Sequence, residues 1–510
     1  MPVGNKLNSK IVTKENTIWK NKHLNVEQRL EKLYDVWNPL DKSVVRLERM
    51  KKTISALSNL IKKAKQEERT LRAYGGSWSL SRAAVSTHRM INTKPLNFIF
   101  PLSRKSVSTA YPADYSKLFF IQCGASVQEV NTFLAGKGLS LKTTGASNGQ
   151  TIAGAVSTGT HGAAVDIGAM QDNVVCLHII TGPDKHVMLE RKSCPVVTPS
   201  LAKKLGAELI RDDDLFYAAL ISFGSFGIIH ALIVETEPLY LLELRRKRLP
   251  VNNKLKNVIN NLDFSKLPLA YDERPYHFEA VFNPHDIDGG AYVTTMYKRK
   301  YKKKYKKVIP RFDGLGPGDD VLSVIGTLTD LVPALIPTAV NGLVGQFYEE
   351  DAEEWGTIGE IFRATNTRGK ATCMEIGLPV AHSSKALETI LSVHESVGPV
   401  ACIIALRFVK GSNALLAFTK FNPTCTIEIQ AVHSNRSTDF YKKLWKKLDE
   451  VNIPYTFHWG QVNNLNAARV RKMYGDGIVN KWLSARKTLL AEPVRKIFNN
   501  PFLKKCGLDS

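Results

Sequence analysis

Between residues 138 and 162 the chain reads GLSLKTTGASNGQTIAGAVSTGTHG, with glycine at 138, 145, 149, 154, 159 and 162 and mostly Ala, Ser and Thr between them. A glycine inside a regular element costs roughly 0.5–1 kcal/mol, so this density does not describe a packed core. It describes backbone brought close to something. A shorter segment, Thr70-Leu-Arg-Ala-Tyr-Gly-Gly-Ser-Trp-Ser79, runs a strand into a second glycine turn. Backbone N–H groups in such turns bind phosphate, because several donors converge without side-chain bulk. Neither segment has the G-x-G-x-x-G spacing that opens a helix in a βαβ unit, so a Rossmann-type fold is not supported. Glycine turns without a ligand are the plain alternative.

Around these segments, residues 1–50 are polar with isolated aromatics (Trp19, Tyr34, Trp37) and read as a lead-in with little regular structure beyond Val26–Tyr34. Ile54, Leu57, Leu60, Ile61 and Ala64 recur at helical spacing and predict an amphipathic helix from Thr53 to near Glu68. Leu118–Cys123 reads as a strand and Val127–Leu134 as a helix. Val174–Thr181 and Val187–Glu190 read as a hairpin, Asp212–Leu220 as a helix with an acidic start, and Ile228–Thr236 as a strand. Beyond Tyr240 the strand signals are Phe278–Phe282, Ala291–Met296, Met374–Leu378, Ile403–Val409 and Cys425–Val432, which places a domain boundary near residue 240.

The chain has 510 residues, 70 Lys and Arg against 47 Asp and Glu, and a net charge of +23. That sum suits nucleic acid, an anionic membrane surface or an acidic ligand equally. Its distribution is more specific: 16 basic and 8 acidic groups in residues 1–71, 8 basic and none acidic in 298–307, and 14 against 5 in 440–510. The remainder is close to neutral. The seven cysteines are scattered and never spaced C-x-x-C, giving neither a disulfide framework nor a metal pattern, so no metal is expected. No apolar stretch of signal-peptide length opens the chain, and a cytoplasmic location is the default expectation. Val321–Val344 is mostly apolar, but Asp330, Pro333, Pro337 and Asn341 interrupt it; it reads as short buried helices or a flap rather than a membrane span.

Arg72-Ala-Tyr-Gly-Gly-Ser-Trp-Ser79, the Gly138–Gly162 segment with its Thr158-Gly-Thr-His-Gly162, Gly224-Ser-Phe-Gly-Ile-Ile229 and His458-Trp-Gly460 together resemble the vanillyl-alcohol-oxidase type of FAD flavoproteins, nearest the sugar-lactone and alditol oxidases. The resemblance covers roughly residues 40–510. It implies an α+β protein: a two-subdomain PCMH-type FAD-binding domain, and a cap domain whose antiparallel sheet is flanked by helices and forms the substrate pocket. The expected division is a lead-in at 1–39, the FAD domain at 40–240, the cap at 241–460 and a tail at 461–510 that completes the FAD domain. Carried over by position, Ala73, Tyr74, Gly75, Gly76, Ser77, Trp78 and Ser79, with Thr151, Gly154, Thr158, Gly159, Thr160 and His161, would hold the FAD diphosphate and ribityl chain. Ile229 would lie on the adenine side, and Gly145 and Ala146 against the flavin, Ala146 also touching substrate.

Several departures from that pattern carry information. The branch commonly reads G-x-G-H-S, its histidine bonded to the flavin 8α-methyl; here the position is Trp78, which predicts dissociable, non-covalent FAD. Gly145 falls where one small residue controls oxygen access, and glycine there favours an oxidase releasing hydrogen peroxide over a dehydrogenase using another acceptor. The relatives' Glu-x-Arg strand reads Ala405-Leu-Arg407, keeping the arginine and losing the carboxylate, and their H-W-G-K reads His458-Trp-Gly-Gln461. Glu428 and Gln430 alternate onto one face of their strand. The resemblance thus implies Arg407 as electrostatic partner of the flavin or alkoxide, Glu428 or His458 as proton acceptor, and Arg407, Gln430 and Gln461 as substrate-binding groups. The substrate is expected to be a hydroxylated, sugar-like small molecule, with O2 as acceptor and no nucleic-acid partner. The run Lys298–Lys307 is expected in a loop after a cap strand, solvated or in weak contact with an anionic membrane surface.

Overall fold

The computed structural model describes residues 8–307, 333–351, 353–363 and 371–510. Among them, a four-stranded sheet is ordered Lys10–Lys20, Glu27–Trp37, Arg89–Asn92, Leu71–Tyr74. A six-stranded sheet follows in the order Glu208–Arg211, His186–Glu190, Val174–Ile180, Ile228–Glu235, Leu118–Gln122, Ile99–Pro101. The helix Arg46–Gln66 buries Ile54, Leu57, Leu60, Ile61 and Ala64, the stripe its spacing predicts.

The lead-in expectation is corrected. Lys10–Lys20 and Glu27–Trp37 form a long antiparallel hairpin, joined in parallel to Arg89–Asn92. The outer strand lies at the sheet edge and buries only Trp19, so its sequence alternates between nothing and nothing; the inner strand buries Leu30, Leu33, Tyr34 and Val36. The hairpin turn is bonded to the first glycine segment: Lys22 N–H donates to the Ser77 carbonyl (2.8 Å) and Asn21 Nδ2 to that of Ser79 (3.0 Å).

Within the glycine-rich segment, Ile152–Thr158 is a short helix stopped by Gly159 in the left-handed region (φ 85°), a conformation that costs glycine little. The chain's C-terminal residues return to this half. Trp482 Nε1 donates to the Ile221 carbonyl (3.0 Å), Arg486 Nε to Ser225 (3.0 Å), and Asn500 Nδ2 to Ala83 (2.9 Å). Fully buried Arg72 donates to the carbonyls of Ala83, Phe223 and Phe498.

Residues after 240 build an eight-stranded antiparallel sheet ordered Glu353–Gly356, Tyr240–Leu249, Ala291–Lys300, His277–Phe282, Cys402–Val409, Thr424–Val432, Ala371–Pro379, Thr456–Phe457. Alternation splits its residues between two faces. Phe278, Leu406, Ile427 and Met374 belong to the main core with buried residues of helices Asn253–Asn261, Ser383–Val397 and Asn435–Glu450. The opposite face carries Glu279, Arg407, Glu428 and Glu375. Part of that face is covered by helix Ile336–Phe347, whose Ile336, Val340 and Val344 pack with Val281, Ile403 and Ala405. This helix takes up the end of the apolar Val321–Val344 stretch; residues 321–332 lie outside the described residues. No helix among the described residues is long and apolar enough to cross a membrane.

The basic run is also corrected. Lys298–Lys300 belong to strand Ala291–Lys300, and only the rest is loop. Lys298 pairs with Glu237, Arg299 with Glu243 and Glu273, and Lys307 with Glu360, so part of the run's charge is matched within the molecule.

Candidate functional site

One elongated cavity runs between the two halves, with about 1680 Å³ of empty space including its mouth. Its first wall is Ala73 to Ser79, with Gly145, Ala146, Thr151, Gly154, Thr158, Thr160, His161 and Ile229; its second is Arg407, Glu428, Gln430, His458 and Gln461. The structure therefore brings together every residue singled out in the sequence except Gly159, whose absent side chain would point at Phe418 and whose place is the helix stop.

The first wall is built by omission of atoms. A Cβ on Gly75 would lie 2.0 Å from Thr151 Oγ1, and one on Gly76 2.8 Å from the Gly149 carbonyl and 2.9 Å from Trp78 Cδ1. A Cβ on Gly145 would lie 2.7 Å from Thr160 Cγ2. The wall also leaves buried polar atoms without partners among the described residues: Trp78 Nε1 and Gln150 Oε1. Buried donors and acceptors are ordinarily matched, so an extended ligand with polar groups along its length suits this wall. The hairpin turn adds His23, whose ring meets that of Trp78 edge-on at 5.8 Å, and Lys22 Nζ sits 4.6 Å from the Trp78 ring centroid.

The second wall is made of charge. Arg407 Nε donates to Glu279 Oε1 (2.7 Å) and Nη1 to Glu428 Oε2, while Nη2 is buried without a partner among the described residues. Burial opposes the guanidinium's charge, but Glu428 and Glu279 outweigh it and raise its pKa well above the usual value. Cys373 Sγ lies 3.2 Å from the other Glu428 oxygen. Strand register explains the cluster: Glu279 is opposite Arg407, Glu428 is opposite Ala405, and Glu375 is opposite Glu428. The carboxylate missing from Ala405-Leu-Arg407 is thus replaced from neighbouring strands. Glu375 Oε1 meets His161 Nε2 of the first wall at 2.7 Å, with both side chains 3% exposed. His458 is held by its N–H to the Glu375 carbonyl (3.0 Å), and its Nδ1 accepts the Gly460 N–H (3.0 Å). Burial lowers its pKa to about 4 against the pull of Glu375. The ring is neutral at neutral pH, with its proton on Nε2.

Sequence reasoning missed Glu279, Glu375, Cys373 and His23. A signal existed for the two glutamates: each is a single charge in an otherwise apolar strand, His277–Phe282 and Ala371–Pro379.

Comparison with known proteins assigns the family. The FAD binding domain family model matches residues 49–188, and the D-arabinono-1,4-lactone oxidase model matches residues 236–506. The chain belongs to the D-arabinono-1,4-lactone oxidase family. It is an FAD-dependent oxidoreductase of that family. Among curated relatives, L-gulono-1,4-lactone dehydrogenase of Mycobacterium tuberculosis is 22% identical over 82% of this chain and 87% of that protein. D-arabinono-1,4-lactone oxidase of Saccharomyces cerevisiae is 26% identical over 40% of this chain and 34% of that protein. Among solved structures, cholesterol oxidase from B. sterolicum superposes with a TM-score of 0.70 at 14% identity over 97% of each chain. Chitooligosaccharide oxidase gives 0.61 at 12% over 94% and 93%. These establish the fold, that of PCMH-type flavoenzymes, as the resemblance implied.

Proposed function

We propose that the protein oxidises a CH–OH group of a sugar-like polyol or lactone and passes the electrons to O2, releasing hydrogen peroxide. The observation that carries this reading is the meeting, in one cavity, of a glycine-walled cradle with Arg407, whose Nη2 is unspent, and the carboxylate of Glu428 beside it. Residues 73–79, Gly145, Ala146, Thr151, Gly154, Thr158, Thr160, His161 and Ile229 would hold FAD, non-covalently because Trp78 replaces the linking histidine. The proposed division is a flavin domain at 40–240 completed by 461–510, with the cap at 241–460.

Bound FAD would supply the acceptor for hydride from the substrate carbon. The chain's own residues prepare that carbon. Arg407 Nη2 donates to the substrate oxygen and stabilises its alkoxide character. Glu428, oriented by Arg407 Nη1 and Cys373, accepts the hydroxyl proton. His458, with Nδ1 occupied by the Gly460 N–H, donates through Nε2 rather than accepting, so of the two acceptors considered from sequence Glu428 is retained. Gln430 and Gln461 orient further hydroxyls. The absence of a side chain at Gly145, where the resemblance places oxygen access, supports oxygen as the acceptor.

Peroxide release across a panel of polyols, aldonolactones and hydroxy acids tests the reaction: turnover with at least one polyol or lactone is expected, and silence across the panel overturns it. Acid denaturation followed by filtration tests the linkage. Yellow colour should pass the filter; colour retained with the protein contradicts non-covalent binding.

A further inference from the structure

The proton-transfer scheme above leaves one buried charged contact unused, His161 with Glu375, which joins the end of the glycine segment to the cap sheet. His161 Nδ1 lies 2.8 Å from the Gly162 carbonyl, an acceptor only, so Nδ1 carries a hydrogen; Nε2 faces Glu375 at 2.7 Å. Burial works against a charged imidazole, but the attraction and hydrogen bond of Glu375 outweigh it, and the pKa of His161 is raised. Burial likewise works against the carboxylate, and His161 outweighs it there, so that of Glu375 is lowered. The other charged or titratable groups facing the pair are Arg407, which disfavours charge on His161, Glu428, opposite Glu375 on the neighbouring strand, the thiol of Cys425, and neutral His458. The contact is therefore imidazolium to carboxylate.

Its orientation matters. The positive end belongs to the first wall and the negative end to the cap. Arg407 belongs to the cap side, paired with Glu279 and Glu428 and with its Nη2 left for the substrate oxygen, and the position that carries lysine in the resembling enzymes is Gln461 here. His161 is thus the positive group on the flavin side of the junction where the glycine wall meets the catalytic carboxylate. His161, Glu375, Arg407 and Glu428 line the same cavity, so a ring touching both walls would come near this junction.

We propose that Glu375 is a positioning residue which, acting through His161, presents a fixed positive charge to the flavin and so raises its reduction potential and its affinity for sulfite. This rests on FAD occupying the cavity, but not on any substrate assignment. The measurements are the sulfite dissociation constant and the two-electron midpoint potential of FAD-loaded protein, for wild type, Glu375→Gln, His161→Gln and the double variant. Glu375→Gln should weaken sulfite binding about tenfold, the weight of one pKa unit, and lower the potential by about 30 mV, the two-electron equivalent. Glu375→Asp should recover part of both. The double variant should resemble His161→Gln alone, since the two residues act as one unit.

Sulfite affinity and potential unchanged in Glu375→Gln and His161→Gln, with FAD loading intact, overturn the proposal. If those variants do not bind FAD, wild type still decides. Corrected for sulfite ionisation, its affinity should fall as pH rises through the raised pKa of His161, and a flat profile overturns the proposal. A protein that passes these tests but is reduced by no polyol or lactone would retain this pair and lose the substrate reading.

Discussion

The two walls of the cavity solve opposite problems. The wall proposed to hold the flavin comes from two short, nearly continuous stretches, residues 73–79 and 145–161, and works by leaving atoms out: a methyl on Gly75 would meet Thr151 Oγ1 at 2.0 Å. The cap wall draws Glu375, Arg407 and Glu428 from three strands, with Glu279 of a fourth paired to Arg407, and works by setting charges against one another. The first should therefore be intolerant of added volume, and the second of removed charge.

Arg407→Met is the strongest test of that contrast. It leaves Glu279 and Glu428 buried without their cation, and breaking a buried pair in this way costs about 3–5 kcal/mol. Denaturant unfolding should show a loss of that size together with loss of substrate turnover; an unchanged midpoint would mean the carboxylates are not paired as described. Glu428→Gln keeps the shape and removes the proton acceptor, so flavin reduction by substrate should slow about 10²–10⁴-fold while FAD affinity stays as in wild type. Stopped-flow reduction with unchanged rates would remove Glu428 from the mechanism. Gly75→Ala reverses the pattern. Overpacking costs about 1–3 kcal/mol, to be read in FAD titration of the apoprotein as weakened binding, and the cap-side charge network should be untouched.

A smaller effect follows from the buried histidines. His178 and His230 in the flavin half bond each other (Nδ1 to Nδ1, 2.9 Å), and His277 in the cap has no partner for either ring nitrogen among the described residues. Burial lowers the pKa of His230 and His277 to about 3, and, with neighbouring histidines adding to it, that of His178 well below its usual value. Their unfolded-state pKa is higher, so the unfolded chain takes up protons first as pH falls. Stability from these groups is full above about pH 6.5 and declines below it, by up to about 1.4 kcal/mol per pH unit per histidine. Buried His23 in the first half and His394 and His458 in the second are lowered to about 4 by burial in the same way, so both halves should lose stability in acid, which hydrogen exchange along the chain would report.

How much of this was legible in the sequence follows the same division. The glycine wall could be read residue by residue, because a strained turn and a close backbone approach leave their mark at the position that needs them. Gly159 is the exception: it was expected among the ligand contacts, and it ends helix Ile152–Thr158 without lining the cavity. The cap wall was legible in Arg407, Glu428 and Gln430, whose strands show clean alternation, but not in its completeness. Ala405 looked like the loss of a carboxylate, and only cross-strand register shows Glu428 opposite it, with Glu279 opposite Arg407 and Glu375 opposite Glu428 adding further negative charge. The strand Lys10–Lys20 was missed because an exposed edge strand has no buried face to impose a pattern, whereas its inner partner Glu27–Trp37 overlaps the Val26–Tyr34 segment that the sequence marked.

The central claim is that the two walls form one redox site. Anaerobic mixing of FAD-loaded protein with neutral polyols and aldonolactones tests it most directly. The account predicts that at least one of them bleaches the flavin, that Glu428→Gln slows the bleaching without loss of bound FAD, and that air restores the colour with peroxide release. A flavin that no such compound reduces, or one reduced equally fast in Glu428→Gln, would contradict it.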